Sequence, residues 1–198
     1  MGQRGRKKGA SGEESRALLL TIAAKEFANH GFYKTKISNI VKEANVTQPT
    51  FYLYFQNKEA IFQELVDSFR DRIFTLTKSS KLDSDIASEN VPDKISAGLA
   101  NIFTFFNENS DLTRIGFFMA PESEEIKRQL AWQIKMNLDS EVENGYFLPS
   151  LDTNLFSEIL VGAIERLTIT HLFQGKDTPE NLAVHMVRLF LYGVGRDY

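Results

Sequence analysis

This 198-residue chain contains no cysteine and no long run of apolar residues. The absence of cysteine excludes thiol catalysis, cysteine-ligated zinc and a disulfide framework. Charged residues interrupt every apolar segment well before the ~18 residues that a membrane-spanning helix needs. The N-terminus is basic, but no apolar stretch of the kind found in a signal peptide follows it. We therefore expect a soluble protein of the reducing cytoplasm.

The sequence also offers little for catalysis or metal binding. Its three histidines, His30, His171 and His185, lie at predicted helix ends or in apolar helices, without the cysteine and carboxylate partners of a metal site. No G-x-S-x-G motif is present, and Gly193 and Gly195 follow a helix, which is the wrong context for a phosphate-binding loop. We expect neither an enzyme nor a bound cofactor or metal.

The most informative segment is TKISNIVKEANVTQPTFYLYFQNK, residues 35–58, whose pattern is typical of a helix-turn-helix. Ser38 can cap a short first helix whose apolar residues recur at helical spacing. Asn45 ends this helix, because asparagine tolerates the left-handed backbone of a tight turn. A second helix is predicted to begin after Thr47, a good N-cap residue, with Pro49 accepted in its first turn.

The second helix has two distinct faces. Phe51 and Phe55 are four residues apart and are predicted to face inward. Hydrogen-bonding side chains then face outward at Gln48, Thr50, Tyr52 and Tyr54. A recognition helix contacts base edges and phosphates with such a surface. Asn57 is predicted to cap the next helix, and Lys58 lies in its first turn, where a phosphate partner would explain a cation that the helix dipole disfavours.

These features resemble the DNA-binding domain of the TetR/AcrR family of bacterial transcriptional regulators. The resemblance covers about the first third of the chain and is carried by Phe27, Gly31, Phe32, Thr35, Ile40, Ala44, Val46, Thr47, Thr50, Phe51, Tyr52, Tyr54, Phe55 and Lys58. Asn45 stands where the family usually has glycine, which is a mild conformational change. Pro49 with Thr50 replaces a small or basic residue followed by glycine, and this departure bears on which operator is read.

Within the DNA-binding hypothesis, the contacts divide into two kinds. Phosphate contacts are expected from Thr35, Thr47, Tyr52 and Lys58. Base-edge contacts are expected from Gln48 and Thr50, with an apolar contact from Pro49 to a thymine methyl group and Tyr54 as a further candidate on this face.

Positive charge is concentrated in the N-terminal part of the chain. Residues 1–60 contain ten Lys and Arg against five Glu, whereas the remainder carries a net charge of −8. This asymmetry suits a protein that approaches DNA with one end, although chance clustering of surface charge would give the same balance. Residues 1–12 are basic and Gly-rich and are predicted to form a flexible arm, either reaching a minor groove or remaining without a partner.

The chain as a whole is predicted to be all-α, with about nine helices. An N-terminal three-helix domain at 13–58 follows the arm, and the resemblance implies that 59–198 form a ligand-binding and dimerisation domain. Besides the two short helices, helices are expected over about residues 14–30, 58–78, 122–144, 153–173 and 179–193.

The last two predicted helices are apolar around most of their circumference, so they are central to a core or covered by a partner. Regulators of the TetR/AcrR type form homodimers through their last two long helices, and a purely intrachain core is the alternative. The expected interface residues are Phe156, Leu160, Ile164, Leu167, Val187, Phe190 and Leu191. A two-fold dimer would place its recognition helices roughly 34 Å apart on a nearly palindromic double-stranded operator.

The resemblance also implies repression that a small-molecule effector relieves by entering the C-terminal domain. An aromatic-rich part of the sequence suits an apolar pocket for a flat or greasy effector. The candidate lining residues are Phe103, Phe106, Phe117, Phe118, Trp132, Met136, Phe147 and His171. Aromatic residues at helical spacing are also typical of simple core packing, so both interpretations stay open.

A helical adaptor is a further alternative. It would bind protein through its C-terminal helices and keep the helix-turn-helix only as a scaffold. Such a protein has no use for outward-facing Gln48, Tyr52 and Lys58, and truncating these side chains would leave its activity intact.

Overall fold

The computed structural model describes residues 10–194, and this part of the chain is all-α, as the sequence predicts. Its nine α-helices are α1 Ala10–His30, α2 Ile37–Glu43, α3 Gln48–Tyr52, α4 Lys58–Ser79, α5 Val91–Glu108, α6 Ser110–Thr113, α7 Ser123–Glu143, α8 Thr153–Thr170 and α9 Pro179–Tyr192. A π-helical turn spans Arg114–Met119, and 3-10 turns span Ser88–Asn90 and Leu172–Gln174. No helix within the described range has the length and apolarity to cross a membrane.

Most of the predicted helix ends are confirmed. Gly31 and Asn45 end α1 and α2 with left-handed backbones, at φ of 79° and 52°. The predicted cap at Ser38 is wrong, because α2 begins one residue earlier and the residue in the N-cap position is Lys36, which has an extended backbone and makes no side-chain cap. Residues 1–9 of the predicted arm lie outside the described range, and α1 already begins at Ala10.

The chain divides into two compact units. The first contains the described residues up to Phe69 together with Asp111–Ala120, and it is larger than the segment 13–58 proposed from the sequence. In its core, the Phe27 ring stacks on Phe32 with centroids 5.8 Å apart and meets Phe62 edge-on at 5.0 Å. This aromatic packing joins α1, the turn that follows it and α4.

One close approach marks the core of the first unit. Gly116 lies in the π-helical turn, and a Cβ atom at this position would stand only 2.3 Å from Cδ1 and 2.7 Å from Cβ of Phe69. Phe69 itself is fully buried. Glycine is therefore required here for space rather than for backbone freedom.

The second unit contains residues 70–110 and the described residues from Pro121 onward. In it, α5 packs against α9 and α7 packs against α8. Buried polar side chains of α7 hold the neighbouring backbone: Asn137 Nδ2 donates to the Thr77 carbonyl at 2.8 Å, and the Leu82 amide donates to Glu141 Oε1 at 3.1 Å. These bonds tie the end of α4 and the segment that follows it to the side of α7.

Candidate nucleic-acid interface and ligand cavity

The recognition helix α3 is a single short helix with a well-defined start. The Thr47 hydroxyl accepts a hydrogen bond from the Thr50 amide at 3.4 Å, which confirms the predicted N-cap, and Pro49 lies in the first turn. The hydroxyls of Thr47 and Thr50 also lie 2.9 Å apart, within hydrogen-bonding distance. The first turn of α3 is thus fixed by its own side chains.

The two predicted faces of this region are confirmed. Phe51 and Phe55 are buried, and their ring centroids lie 5.6 Å apart. Gln48, Pro49 and Tyr52 are exposed, as is the cap residue Thr47, whereas Thr50 and Tyr54 are half-buried. Five of the eight predicted DNA-contact residues therefore form one continuous stretch, from Thr47 to Tyr52 with Phe51 turned inward.

Thr35 does not belong to this exposed surface. Its side chain is only 1% exposed, and its hydroxyl lies within hydrogen-bonding distance of the carbonyl oxygens of Glu26 at 3.1 Å and Gly31 at 2.9 Å. The single hydroxyl proton is directed at these internal acceptors, so it is not available to a phosphate, which can only accept. Thr35 holds the turn between α1 and α2 instead.

Lys58 is also engaged inside the domain. Its ammonium group donates to the carbonyl oxygens of Phe32 at 2.8 Å and Thr35 at 3.0 Å, and it lies 4.4 Å from the centre of the Phe32 ring. These contacts explain a cation in the first turn of α4 without a phosphate, since two carbonyl dipoles and an aromatic face stabilise it. The ammonium has three protons, so one remains for a further acceptor.

We expect Lys58→Met to destabilise the free protein, because the variant keeps the apolar stem but loses both hydrogen bonds to carbonyls. The expected loss is about 1–2 kcal/mol, which lowers Tm by roughly 2–8 °C in a chain of this size. Thermal unfolding followed by circular dichroism measures it, with exposed Lys34→Met as the matched control. An unchanged Tm would show that these bonds are not needed and that Lys58 is reserved for DNA.

One exposed aromatic residue near this surface escaped the sequence analysis. Tyr33 is 93% exposed and follows Phe32, whose ring packs inward on Phe27. It lies in the turn before α2, beside exposed Lys34 and Lys36. The exposure of Tyr33 could have been predicted from the sequence, because Phe32 was expected to pack inward and the side chain after it then points outward.

The second unit contains a cavity of about 1140 Å³ that is partly open to solvent. It lies among the C-terminal end of α4, α5, the second half of α7, α8 and α9, and the loop 145–152 also lines it. Most of the lining is apolar, with Leu99, Ile102, Ile134 and Leu138 from α5 and α7. Cavities of roughly 300–1,000 Å³ with such lining are typical of small-molecule sites.

The cavity is not formed by the aromatic residues proposed from the sequence. Of the eight candidates, Phe147 alone lines it. Phe103 and Phe106 are fully buried in the second unit, and Phe117 is buried in the first. Trp132 is 61% exposed and Met136 is also exposed, while Phe118 and His171 are half-buried outside the lining. The core interpretation is therefore correct for the three buried phenylalanines.

The proposed dimer residues are buried or half-buried in the protomer. Ile164 and Val187 are buried, and the Phe156 and Phe190 rings meet edge-on with centroids 5.1 Å apart. All seven except Leu167 line the cavity. The exposed apolar residues of α8 and α9 are Leu155, Ile159, Ile169, Val184, Leu189 and Tyr192, of which Leu155 and Ile159 also line the cavity. Exposed Gly162 and Arg166 lie on the same face of α8 as Leu155, Ile159 and Ile169.

A buried carboxylate in the cavity wall was also missed. Glu141 lines the cavity, is 6% exposed and continues the buried stripe of Ile134 and Leu138 on α7. Burial raises the pKa of its carboxyl group above the ordinary 4.5, and the Leu82 amide and the charge of Lys81 only partly oppose this shift. A charged residue at a stripe position was the sequence signal that would have revealed it.

We expect Glu141→Gln to stabilise the protein at pH 7.5, because the amide oxygen still accepts from Leu82 while the desolvated charge is removed. Because folding raises the pKa of Glu141, ionisation of this residue makes the folded protein less stable as the pH rises from the pKa in the unfolded chain through the pKa in the folded one. The gain, about 1 kcal/mol or roughly 2–4 °C in Tm, should therefore disappear near pH 4. Exposed Glu143→Gln is the matched control, and a lower Tm for Glu141→Gln at pH 7.5 would contradict this account.

Comparison with known proteins agrees with this architecture. The model of the bacterial regulatory proteins of the tetR family matches residues 19–65. YdgC of Bacillus subtilis (strain 168), an uncharacterised HTH-type transcriptional regulator, is 45% identical over 185 residues, which are 93% of this chain and 95% of that protein.

Two solved structures have the same fold. The TetR family transcriptional regulator PfmR from Thermus thermophilus matches with a TM-score of 0.74 at 18% identity, over 90% of this chain and 99% of that one. The fatty acid degradation regulator FadR from Bacillus halodurans matches with a TM-score of 0.68 at 21% identity, over 91% and 96%. Together with the near-full-length relative, these likenesses show that the chain belongs to the TetR family of bacterial helix-turn-helix transcriptional regulators.

Proposed function

We propose that this protein is a cytoplasmic, homodimeric repressor that leaves a nearly palindromic operator when a small, largely apolar effector enters its cavity. The exposed first turn of α3 carries the proposal. Gln48, Pro49 and Tyr52 face solvent, while buried Phe51 and Phe55 anchor the same segment. A short, rigid helix with polar groups on its N-terminal turn suits the major groove of DNA.

The DNA contacts that we propose differ slightly from those expected at first. Gln48 is the base-reading residue, with Pro49 beside a thymine methyl group. Thr47, Thr50, Tyr52 and Tyr54 contact the edge of the groove or the phosphates. Lys58 offers its remaining proton to a phosphate, Thr35 is left out, and exposed Tyr33 is added as a backbone contact.

The exposed faces of α8 and α9 support the homodimer. Leu155, Ile159, Gly162 and Ile169 share one largely apolar face of α8, which also carries exposed Arg166, and Val184 and Leu189 add apolar surface on α9. A surface of this kind on a folded unit marks an interaction site. A two-fold axis through it would present two copies of α3 to successive turns of DNA.

Fluorescence anisotropy with the DNA upstream of the gene tests the proposal. We expect this duplex to bind at least about a thousandfold more tightly than a scrambled duplex, with an affinity that falls steeply with salt. Equal weak binding to this duplex, to the scrambled one and to fragments selected from genomic DNA would contradict it. That outcome would favour the adaptor.

We expect Gln48→Ala to weaken binding to the operator by about 1–3 kcal/mol and to leave binding to scrambled DNA unchanged. The reason is that a lost base contact affects only the sequence that supplied it. The same anisotropy titration measures both duplexes, and Gln63→Ala on the surface of α4 is the control. An equal loss on both duplexes would show that Gln48 contacts the phosphate backbone.

A further inference from the structure

The charge of the cavity lining has a single sign. Glu141 and Asp152 are its two charged residues, and no lysine, arginine or histidine lines it within the described part of the chain. Asp152 is exposed and already accepts from the Leu155 amide at 2.9 Å as the cap of α8. An anionic head group entering this cavity would face two acids and no cation in the lining, because Lys81, whose charge acts on Glu141, is exposed and lies outside the lining.

Glu141 is the acid that a ligand inside the cavity would meet. Its Oε1 accepts from the Leu82 amide at 3.1 Å, and this is the hydrogen bond that the carboxylate makes within the described residues. A carboxylate offers about four acceptor positions on its two oxygens, so most of its acceptor capacity remains. The surrounding wall is apolar, with Ile134 and Leu138 on the same helix, and a buried charge in such a place favours a charged hydrogen-bond donor.

Two other polar side chains of the lining, Asn137 and Tyr146, are engaged in the fold. Asn137 Nδ2 donates to the Thr77 carbonyl at 2.8 Å, and its Oδ1 accepts from Gln133 Nε2 at 3.1 Å. The Tyr146 hydroxyl lies 2.9 Å from the Asp83 carbonyl and accepts from the Ile86 amide at 3.0 Å. Glu141 therefore differs from these groups in having both a charge and free acceptor positions.

We propose that the cavity binds an apolar molecule with a protonated amine, whose N–H groups donate to the carboxylate of Glu141. The inference rests on the proposed function, because it names the chemical class of the effector for the same cavity. The apolar body of the ligand lies along α5 and α8, and its ammonium replaces the water that the buried carboxylate has lost. Attraction within this ion pair is stronger than in bulk water because Glu141 is buried.

Three probes of equal chain length test the ligand class: decylammonium, decanol and decanoate, each below its critical micelle concentration. Isothermal titration calorimetry on the full-length protein without DNA at pH 7.5 gives each affinity. We expect decylammonium to bind at least tenfold more tightly than decanol, and decanoate to bind most weakly. Glu141→Gln should remove the advantage of decylammonium and leave decanol within twofold, while Glu143→Gln changes neither.

Three results would overturn the proposal: tightest binding of decanoate, an equal effect of Glu141→Gln on all three probes, or no binding of any probe. Because the glutamine side chain of the Glu141→Gln variant would keep the acceptor for Leu82, a folded variant is expected, and its melting curve verifies this. A second titration adds decylammonium to the protein–operator complex. Binding without release of the operator would count against the proposed effector mechanism but would leave the ligand class standing, so the two failures are distinguishable.

Discussion

Replacing Gly162 by glutamate is expected to abolish the proposed homodimer and to reduce affinity for the proposed operator at least about a thousandfold, while each protomer stays folded. A Cβ added at Gly162 meets nothing within 4 Å in the protomer, and glutamate favours a helix interior over glycine by about 0.5–1 kcal/mol. The fold therefore gains from the change. A partner helix packed on this face of α8 would instead meet a bulky, desolvated charge.

Sedimentation equilibrium and operator titration measure the two expected losses. Gly162→Lys should act in the same way, because bulk and desolvation do not depend on the sign of the charge. Met136→Glu and Met136→Lys, on the exposed surface of α7, are the matched controls and should leave the dimer intact. A dimer that survives both Gly162 variants, or that is lost in the Met136 variants, would move the interface away from α8.

Gly116→Ala is expected to be the most destabilising small substitution in the first unit, at about 3 kcal/mol, or a fall in Tm of about 6–12 °C. The new methyl group would stand 2.3 Å from Cδ1 of Phe69, and the backbone near Phe69 would have to move because its Cβ is also too close. Chemical denaturation with two-wavelength detection gives the free energy of unfolding directly.

A double-mutant cycle attributes this cost to the Phe69 ring. Phe69→Ala alone should cost about 3–5 kcal/mol through the cavity that it leaves. In that background the additional cost of Gly116→Ala should be about half or less of its cost in the wild type, because the ring no longer occupies the space. Strict additivity would mean that the π-helical backbone, and not the ring, rejects a side chain.

Local signals in the sequence were sufficient to predict several turns and helix ends of the DNA-binding part. Gly31, Asn45 and Thr47 each act through their own backbone or a partner three residues away, so their roles can be deduced without knowledge of the fold. The helix start at Lys36 was missed because nothing in its side chain marks it, and the extended backbone is imposed by the preceding turn. The sequence does not predict the internal bonds of Thr35 and Lys58. Their carbonyl partners are distant in sequence or lie in a turn whose path the sequence does not define.

The second unit was harder to predict, because α8 and α9 are apolar on nearly every side. Periodicity shows that such helices are covered, but it does not show which side faces the protomer and which faces a partner. Ile164 and Ile169 are equally apolar, yet the first is buried and the second exposed. For the same reason, Phe103 and Phe106 were predicted to line the ligand pocket. Their rings instead fill the core and leave no room for a ligand.

The internal bonds of Lys58 and Thr35 have a consequence for the evolution of this regulator. They stabilise the turn before α2 from inside the domain, and the exposed side chains of Gln48 and Pro49 take no part in them. Mutations at Gln48 and Pro49 can therefore accumulate without loss of protein abundance. After gene duplication, a few substitutions at these positions can change which promoter a copy recognises. A combinatorial library at the same positions should yield folded proteins with new operator preferences.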